Sequence, residues 1–151
     1  QVTLVPDAPD AITSNAGWDT LTHQSFLKSI ISDFRVAGIR SSLFIEAEPQ
    51  YIEGAKAIQT DRIELYTESY AQHFDIDKEQ AVMPFVESAV LAKELGLGIN
   101  AGHDLNLENL NYFADSIPFL DEVSIGHALI SDALYLGLEK TVKSYKNCLR
   151  K

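Results

Sequence analysis

Two of the four histidines sit in the same local setting. Gly98-Ile99-Asn100-Ala101-Gly102-His103-Asp104 reads as a short apolar strand that stops at a glycine and delivers an imidazole into a loop. Glu122-Val123-Ser124-Ile125-Gly126-His127 has the same build. Histidine titrates near neutrality, which suits it to general acid or base work. A single Gly-His could equally be a histidine that caps a helix or is satisfied in a packed loop. Two at successive strand ends favour chemistry, because ligands bind at the carboxyl ends of parallel strands.

Glu64 lies inside a third strand, between Ile63 and Leu65. If those apolar neighbours point outward to helices, its carboxylate points into the interior, where an unpaired charge is costly and is usually kept for a purpose. An exposed edge position is the bland alternative. Thr13 and Ser14 could bind phosphate or cap a turn. Gly126-His127-Ala128 before a short helix is a plausible phosphate cradle. A metal site would need a third ligand, with Asp104 and Glu64 the candidates, and no ligand spacing such as His-x-x-x-His supports one. Lys28, Lys56, Lys78, Lys93, Lys140, Lys143, Lys146 and Lys151 all fall on expected helices or their ends, which argues against an enzyme-lysine Schiff base in this stretch. No dinucleotide-binding glycine pattern, P-loop or nucleophile elbow occurs. Cys148 is the only cysteine, so no internal disulfide can form, and its bland role is that of a small hydrophobe.

The elements that must place these residues alternate. Strands are expected at Gln1–Val5, Arg40–Ile45, Arg62–Tyr66, from Gly98, and at Glu122–Ile125. The first ends at two prolines, Pro6 and Pro9, and a loop of about 15 residues follows, of a length that is usually functional or mobile. Trp18 is expected to anchor that loop, with closing over a ligand the alternative. Thr22 or a neighbour should cap a helix carrying the stripe Phe26, Leu27, Ile30, Ile31 and Phe34, which Gly38 ends. Further helices are expected near Gln50–Ile58, over Lys78–Glu94 with a start as late as Met83 because of Pro84, and over Asn106–Ala114. Thr67–Asp77 reads as a polar connection. A short helix is expected after His127, and Asp132 should cap the final one. Strands alternating with helices mean a parallel sheet with right-handed crossovers. Five units cannot close an eight-stranded barrel, so an open doubly wound domain is the naive reading. The start at Gln1, inside an apolar strand and without methionine, suggests instead a barrel cut partway through.

The 151 residues are 46% hydrophobic and 23% charged, which suits one globular domain, residues 1–151, with a real core. The net charge of −10 repels nucleic acid and anionic lipid. It does not exclude a small phosphorylated substrate, which backbone amides at a helix N-terminus can hold. No apolar run is long enough for a membrane span, and no signal peptide is recognisable. A cytoplasmic setting is expected, in line with the lone thiol.

Five segments in order resemble the pyridoxine 5′-phosphate synthase family of vitamin B6 biosynthesis. They are Val2-Thr3-Leu4-Val5-Pro6, Gly38 through Leu43-Phe44-Ile45, Ile63-Glu64, Asn100-Ala101-Gly102-His103 and Ile125-Gly126-His127-Ala128. The resemblance implies a (βα)8 TIM barrel, of which this chain is the C-terminal three-fifths, strands four to eight, the N-terminal half being absent. It implies a cofactor-free condensation of 3-amino-2-oxopropyl phosphate with 1-deoxy-D-xylulose 5-phosphate that closes a pyridine ring. It implies roles too: His103 as proton donor, Glu64 as transition-state stabiliser, and Thr13, Asp104, Gly126 and His127 as substrate contacts. A homo-oligomer is expected. The chain departs from the family where many members have glycine at Asp104, Glu-x-His-Thr-Gly at Glu64-Leu65-Tyr66-Thr67-Glu68, and Glu-Gly at Asn15-Ala16. Basic residues common in the first loop are also replaced by Asp7-Ala8-Pro9-Asp10. Two other readings remain open: another phosphate-sugar barrel enzyme, isomerase or aldolase, and a non-enzymatic open α/β domain that binds a ligand or partner.

Overall fold

The computed structural model describes residues 1–150; Lys151, named above with the helical lysines, lies outside them. Five strands form one sheet: β1 (Val2–Leu4), β2 (Ser41–Ile45), β3 (Arg62–Tyr66), β4 (Gly98–Gly102) and β5 (Glu122–Ser124). All neighbours are parallel, and their order in space is their order in the chain. A doubly wound sheet reverses its strand order at a switch point. This sheet does not, so it is built as a sector of a barrel.

It is also curved. Strands lie about 4.8 Å apart, so in a flat sheet β1 and β5 would stand roughly 19 Å apart, too far for two side chains to bridge. Yet the Gln1 side-chain amide donates to Glu122 Oε2 at 3.3 Å, and Arg40, just ahead of β2, pairs with Glu122 Oε1 at 2.6 Å. The five strands thus form a half-barrel with a concave inner face.

Alternation along the strands sorts the side chains. Leu43, Ile45, Ile63, Leu65, Ile99 and Ala101 face outward and are buried under the helices. Each such aliphatic side chain stabilises the fold by ~1.5–3 kcal/mol relative to exposure. The register Phe44–Glu64–Asn100–Glu122 puts a second, largely polar set on the concave face. Leu43 faces the helices, and Ser42 and Phe44 face inward.

The helices are α1 (Gln24–Val36), α2 (Pro49–Ile58), α3 (Glu68–Glu94), α4 (Leu110–Ser116), α5 (His127–Leu136) and α6 (Leu138–Cys148). Within the stripe of α1, Leu27 and Ile31 are buried, whereas Phe26 is exposed. Thr22 does not cap α1. The turn before it is held by Asp19, whose carboxylate accepts the backbone N–H groups of Leu21 and Thr22 and the Thr22 hydroxyl. α2 opens with Pro49 at its first turn, where a missing N–H costs nothing.

Thr67–Asp77 is helical from Glu68, not a polar connection. Its aromatic residues Tyr70 and Phe74 pack with Phe85, Phe113 and Tyr112. α3 bends at Asp77, whose backbone is extended and whose carboxylate accepts the Gln80 N–H, restarting the helix well before Pro84. The helix expected from Asn106 begins at Leu110, because Asn106 is used in a side-chain turn that accepts the N–H groups of Glu108 and Asn109. Asp132 caps nothing. It lies within α5 and accepts the Tyr145 hydroxyl at 2.7 Å, tying α5 to α6. Trp18 anchors its loop as expected, through a backbone bond to the Phe44 carbonyl (2.7 Å) and packing on the core. Among the described residues, no helix is long and apolar enough to cross a membrane.

Candidate active site at the carboxyl end of the half-barrel

A cleft of about 750 Å³ opens at the carboxyl ends of the strands. All six site residues expected from the sequence line it: Thr13, Glu64, His103, Asp104, Gly126 and His127. Thr3, Phe44 and Ser124 from the concave face join them.

Glu64 projects from β3 into this cleft with only 7% of its surface exposed. The Thr3 hydroxyl donates to its Oε2 at 3.0 Å from β1, and Ser124 of β5 lines the same part of the cleft. Burial raises the carboxyl's pKa, the Thr3 and Ser124 hydroxyls oppose that, and the Glu122 charge adds to it. Gly102 closes the space beside it: a Cβ there would come within 2.6 Å of Glu64 Oε1 and 2.9 Å of the Ser124 carbonyl oxygen.

His103 follows directly and has φ +77°, a left-handed backbone that non-glycine residues rarely adopt. That turn swings the imidazole over the mouth of the half-barrel. Its Nδ1 lies 2.8 Å from Asp104 Oδ2, and its Nε2 lies 3.0 Å from the Thr13 hydroxyl. A carboxylate can only accept, so Nδ1 carries a proton, and Nε2 is the nitrogen that addresses Thr13 and the cleft. Tyr66 meets the imidazole edge-on, with centroids 5.1 Å apart, and Phe44 packs on Tyr66. The Tyr66 hydroxyl donates to Glu68 at 2.8 Å; burial and that carboxylate push the phenol's pKa far up, so it stays protonated.

The loop that brings Thr13 to the site is held by its own short bonds. The Ser14 hydroxyl donates to Asp7 at 2.7 Å, and the Gly17 N–H donates to Glu46 at 3.1 Å. Gly17 lies so close to β2 that a Cβ there would overlap the Ile45 backbone. Across the cleft, Gly126 is the residue before α5, and His127 is the first residue of that helix. Unpaired N–H groups at such a terminus suit an anion.

The sequence does not single out Thr3, Ser124 and Phe44 as site residues, because hydroxyl and aromatic residues in short strands look like ordinary strand content. Their signal is positional: they share the inward face with Glu64. Asp104, expected as a substrate contact, also holds His103.

Serial parallel strands, a polar concave face and titratable side chains gathered at the carboxyl ends define a portion of a TIM barrel with a candidate active site. The comparisons narrow the class. The family described as "Pyridoxal phosphate biosynthesis protein PdxJ" matches residues 1–151, and the chain belongs to it. It is 60% identical over 150 residues to the pyridoxine 5′-phosphate synthase of Bacteroides thetaiotaomicron, and 63% identical over 151 residues to that of Cytophaga hutchinsonii. With the pyridoxine 5′-phosphate synthase of Christiangramia forsetii it shares 59% identity over 150 residues. These matches take in 99–100% of this chain but only 63% of each relative's length.

Proposed function

We propose that the complete protein carrying this chain is a pyridoxine 5′-phosphate synthase. It would condense 3-amino-2-oxopropyl phosphate with 1-deoxy-D-xylulose 5-phosphate, releasing phosphate and water, by acid–base catalysis and without a cofactor. The observation that carries this reading is the convergence of Glu64 and His103 with an open helix N-terminus on one cleft of a family member. Joining an amine to a ketone and eliminating water requires that departing oxygens be protonated. His103, oriented through Nδ1 by Asp104, presents Nε2 for that proton transfer. Glu64, buried and bonded by the Thr3 hydroxyl, is placed to stabilise positive charge developing at nitrogen or to pass a proton. Gly126, His127 and the amides that open α5 would hold a substrate phosphate, with Thr13 as a contact from the loop. We place the activity in the complete barrel of a cytoplasmic homo-oligomer. The free edges at β1 and β5 support the complete barrel, since a barrel has none.

The test is phosphate release by the complete protein supplied with both substrates. His103→Asn should lower turnover by about 100- to 10,000-fold while the protein remains folded. A complete protein that does not consume this pair, or a variant with normal turnover, overturns the reading.

A further inference from the structure

Thr67 is the residue before α3, where a threonine hydroxyl ordinarily accepts an N–H from the first turn of its helix. Here it makes no such bond. The side chain is fully buried (0% exposed), and its hydroxyl is turned the other way, onto strand β4. Oγ1 donates to the Gly102 carbonyl at 2.8 Å and lies 3.2 Å from the His103 carbonyl, so one proton serves two acceptors. The Thr67 N–H also donates to the Gly102 carbonyl, at 3.1 Å. Both oxygens belong to the residues around the left-handed turn at His103. A left-handed non-glycine residue persists only where its surroundings hold it there.

We propose that Thr67 is a positioning residue: its hydroxyl grips the carbonyls on either side of the His103 turn and thereby aims the His103 imidazole into the cleft. The inference rests on the acid–base role proposed for His103. It explains why the helix forgoes a threonine cap: the hydroxyl ties the residue after β3 to the end of β4 instead. Neither carbonyl depends on the hydroxyl alone. The Gly102 oxygen keeps the Thr67 N–H, and the His103 oxygen keeps the Leu105 N–H. Loss of the hydroxyl therefore loosens the turn without stranding a buried acceptor, and it acts on the aim of His103 more than on folding.

The experiment compares Thr67→Val, which has nearly the same shape but no hydroxyl, with Thr67→Ser, which keeps the hydroxyl and drops the methyl. It is run in the complete protein, with His103→Asn alongside. A misplacement of about 1 Å at a reacting group costs on the order of 100-fold. Thr67→Val should lose about 10- to 100-fold in kcat with KM within about two-fold of wild type, and Thr67→Ser should recover kcat to within about three-fold. If the valine variant does not fold, Thr67→Ala against Thr67→Ser makes the same comparison with the hydroxyl as the main difference. Wild-type kcat without the hydroxyl overturns the inference, as does an equal loss in the serine variant or a change confined to KM. Normal turnover in His103→Asn overturns the acid–base reading itself. An inactive His103→Asn beside an unimpaired Thr67→Val overturns the positioning role alone.

Discussion

Gly102→Ala adds one methyl group at the tightest point of the site. Its Cβ would sit 2.6 Å from Glu64 Oε1, 2.9 Å from the Ser124 carbonyl oxygen and 3.1 Å from Ser124 Cβ. A carbon and an oxygen in ordinary contact stay more than 3 Å apart, so something must yield. The Ser124 oxygen is backbone in β5, registered opposite Gly102 itself, and moving it disturbs the β4–β5 ladder. The Glu64 carboxylate is freer, but it is buried and bonded to Thr3. The added methyl therefore costs about 1–3 kcal/mol in overpacking. Relief comes mainly by displacing the carboxylate by a large fraction of an ångström, which at a reacting group costs on the order of 100-fold in turnover. Urea unfolding of the complete protein should show a lower midpoint at unchanged slope, and kcat should fall further than that stability loss suggests. Gly98→Ala in the same strand is the control. There the added Cβ meets the Arg62 guanidinium, which Asn100 and Asp121 hold, so stability falls as well, but Glu64, two residues further along β3, keeps its place and kcat should stay near wild type. Wild-type stability and turnover in Gly102→Ala would refute the view that Gly102 exists to seat Glu64.

Two further outcomes follow from the same geometry. Burial raises the Glu64 pKa in the folded protein, so the native state holds that proton to higher pH than the unfolded chain, and stability declines as pH rises through the folded pKa. Glu64→Gln removes this decline. It should match or exceed wild-type stability at neutral pH, approach it in acid, and lose turnover much more than substrate affinity; a wild type that gains stability over the variant as pH rises would contradict this. The 151 residues on their own have unpaired strand edges at β1 and β5 and exposed apolar side chains at Ile130, Leu134, Tyr135 and Leu138. Sedimentation should find them self-associated, and a monomeric species with a cooperative unfolding transition would contradict that expectation.

Much of this site is legible in the sequence because strand ends punctuated by Gly-His are local signals. Glu64 between Ile63 and Leu65 is legible for a related reason: one polar residue in an apolar strand declares its face. β2 offers no such marker. Both of its faces are buried, so Ser41–Ile45 reads as a continuous run and the inward pair Ser42 and Phe44 cannot be told from Leu43. The first part of α3 is hidden for the opposite reason, since Glu68–Asp77 carries few apolar residues and is held by aromatic packing from distant segments. Asp132 looks like a cap because aspartate favours that position, but its partner Tyr145 lies a helix away. The hydroxyl of Thr67 is the extreme case, because nothing in Leu65-Tyr66-Thr67-Glu68 says that it reaches across to another strand rather than back to its own helix.

The serial order of the strands also bears on how the chain folds. Every ladder in the sheet joins a strand to the next one along the chain, so each β–α–β unit can form as soon as its own residues are available. Domains generally fold as units during synthesis, from the N-terminal end onward. This sheet can be laid down in the same direction, with each new strand templated by the one before it. The contacts of Gln1 and Arg40 with Glu122 are different, for they span the concavity and must wait until β5 has docked. Glu64 takes a hydroxyl from β1 and shares its cleft with Ser124 of β5, so its surroundings wait with them. The candidate cleft is therefore a late product of folding, and an arrested chain would hold most of its hydrophobic core before it held the cleft.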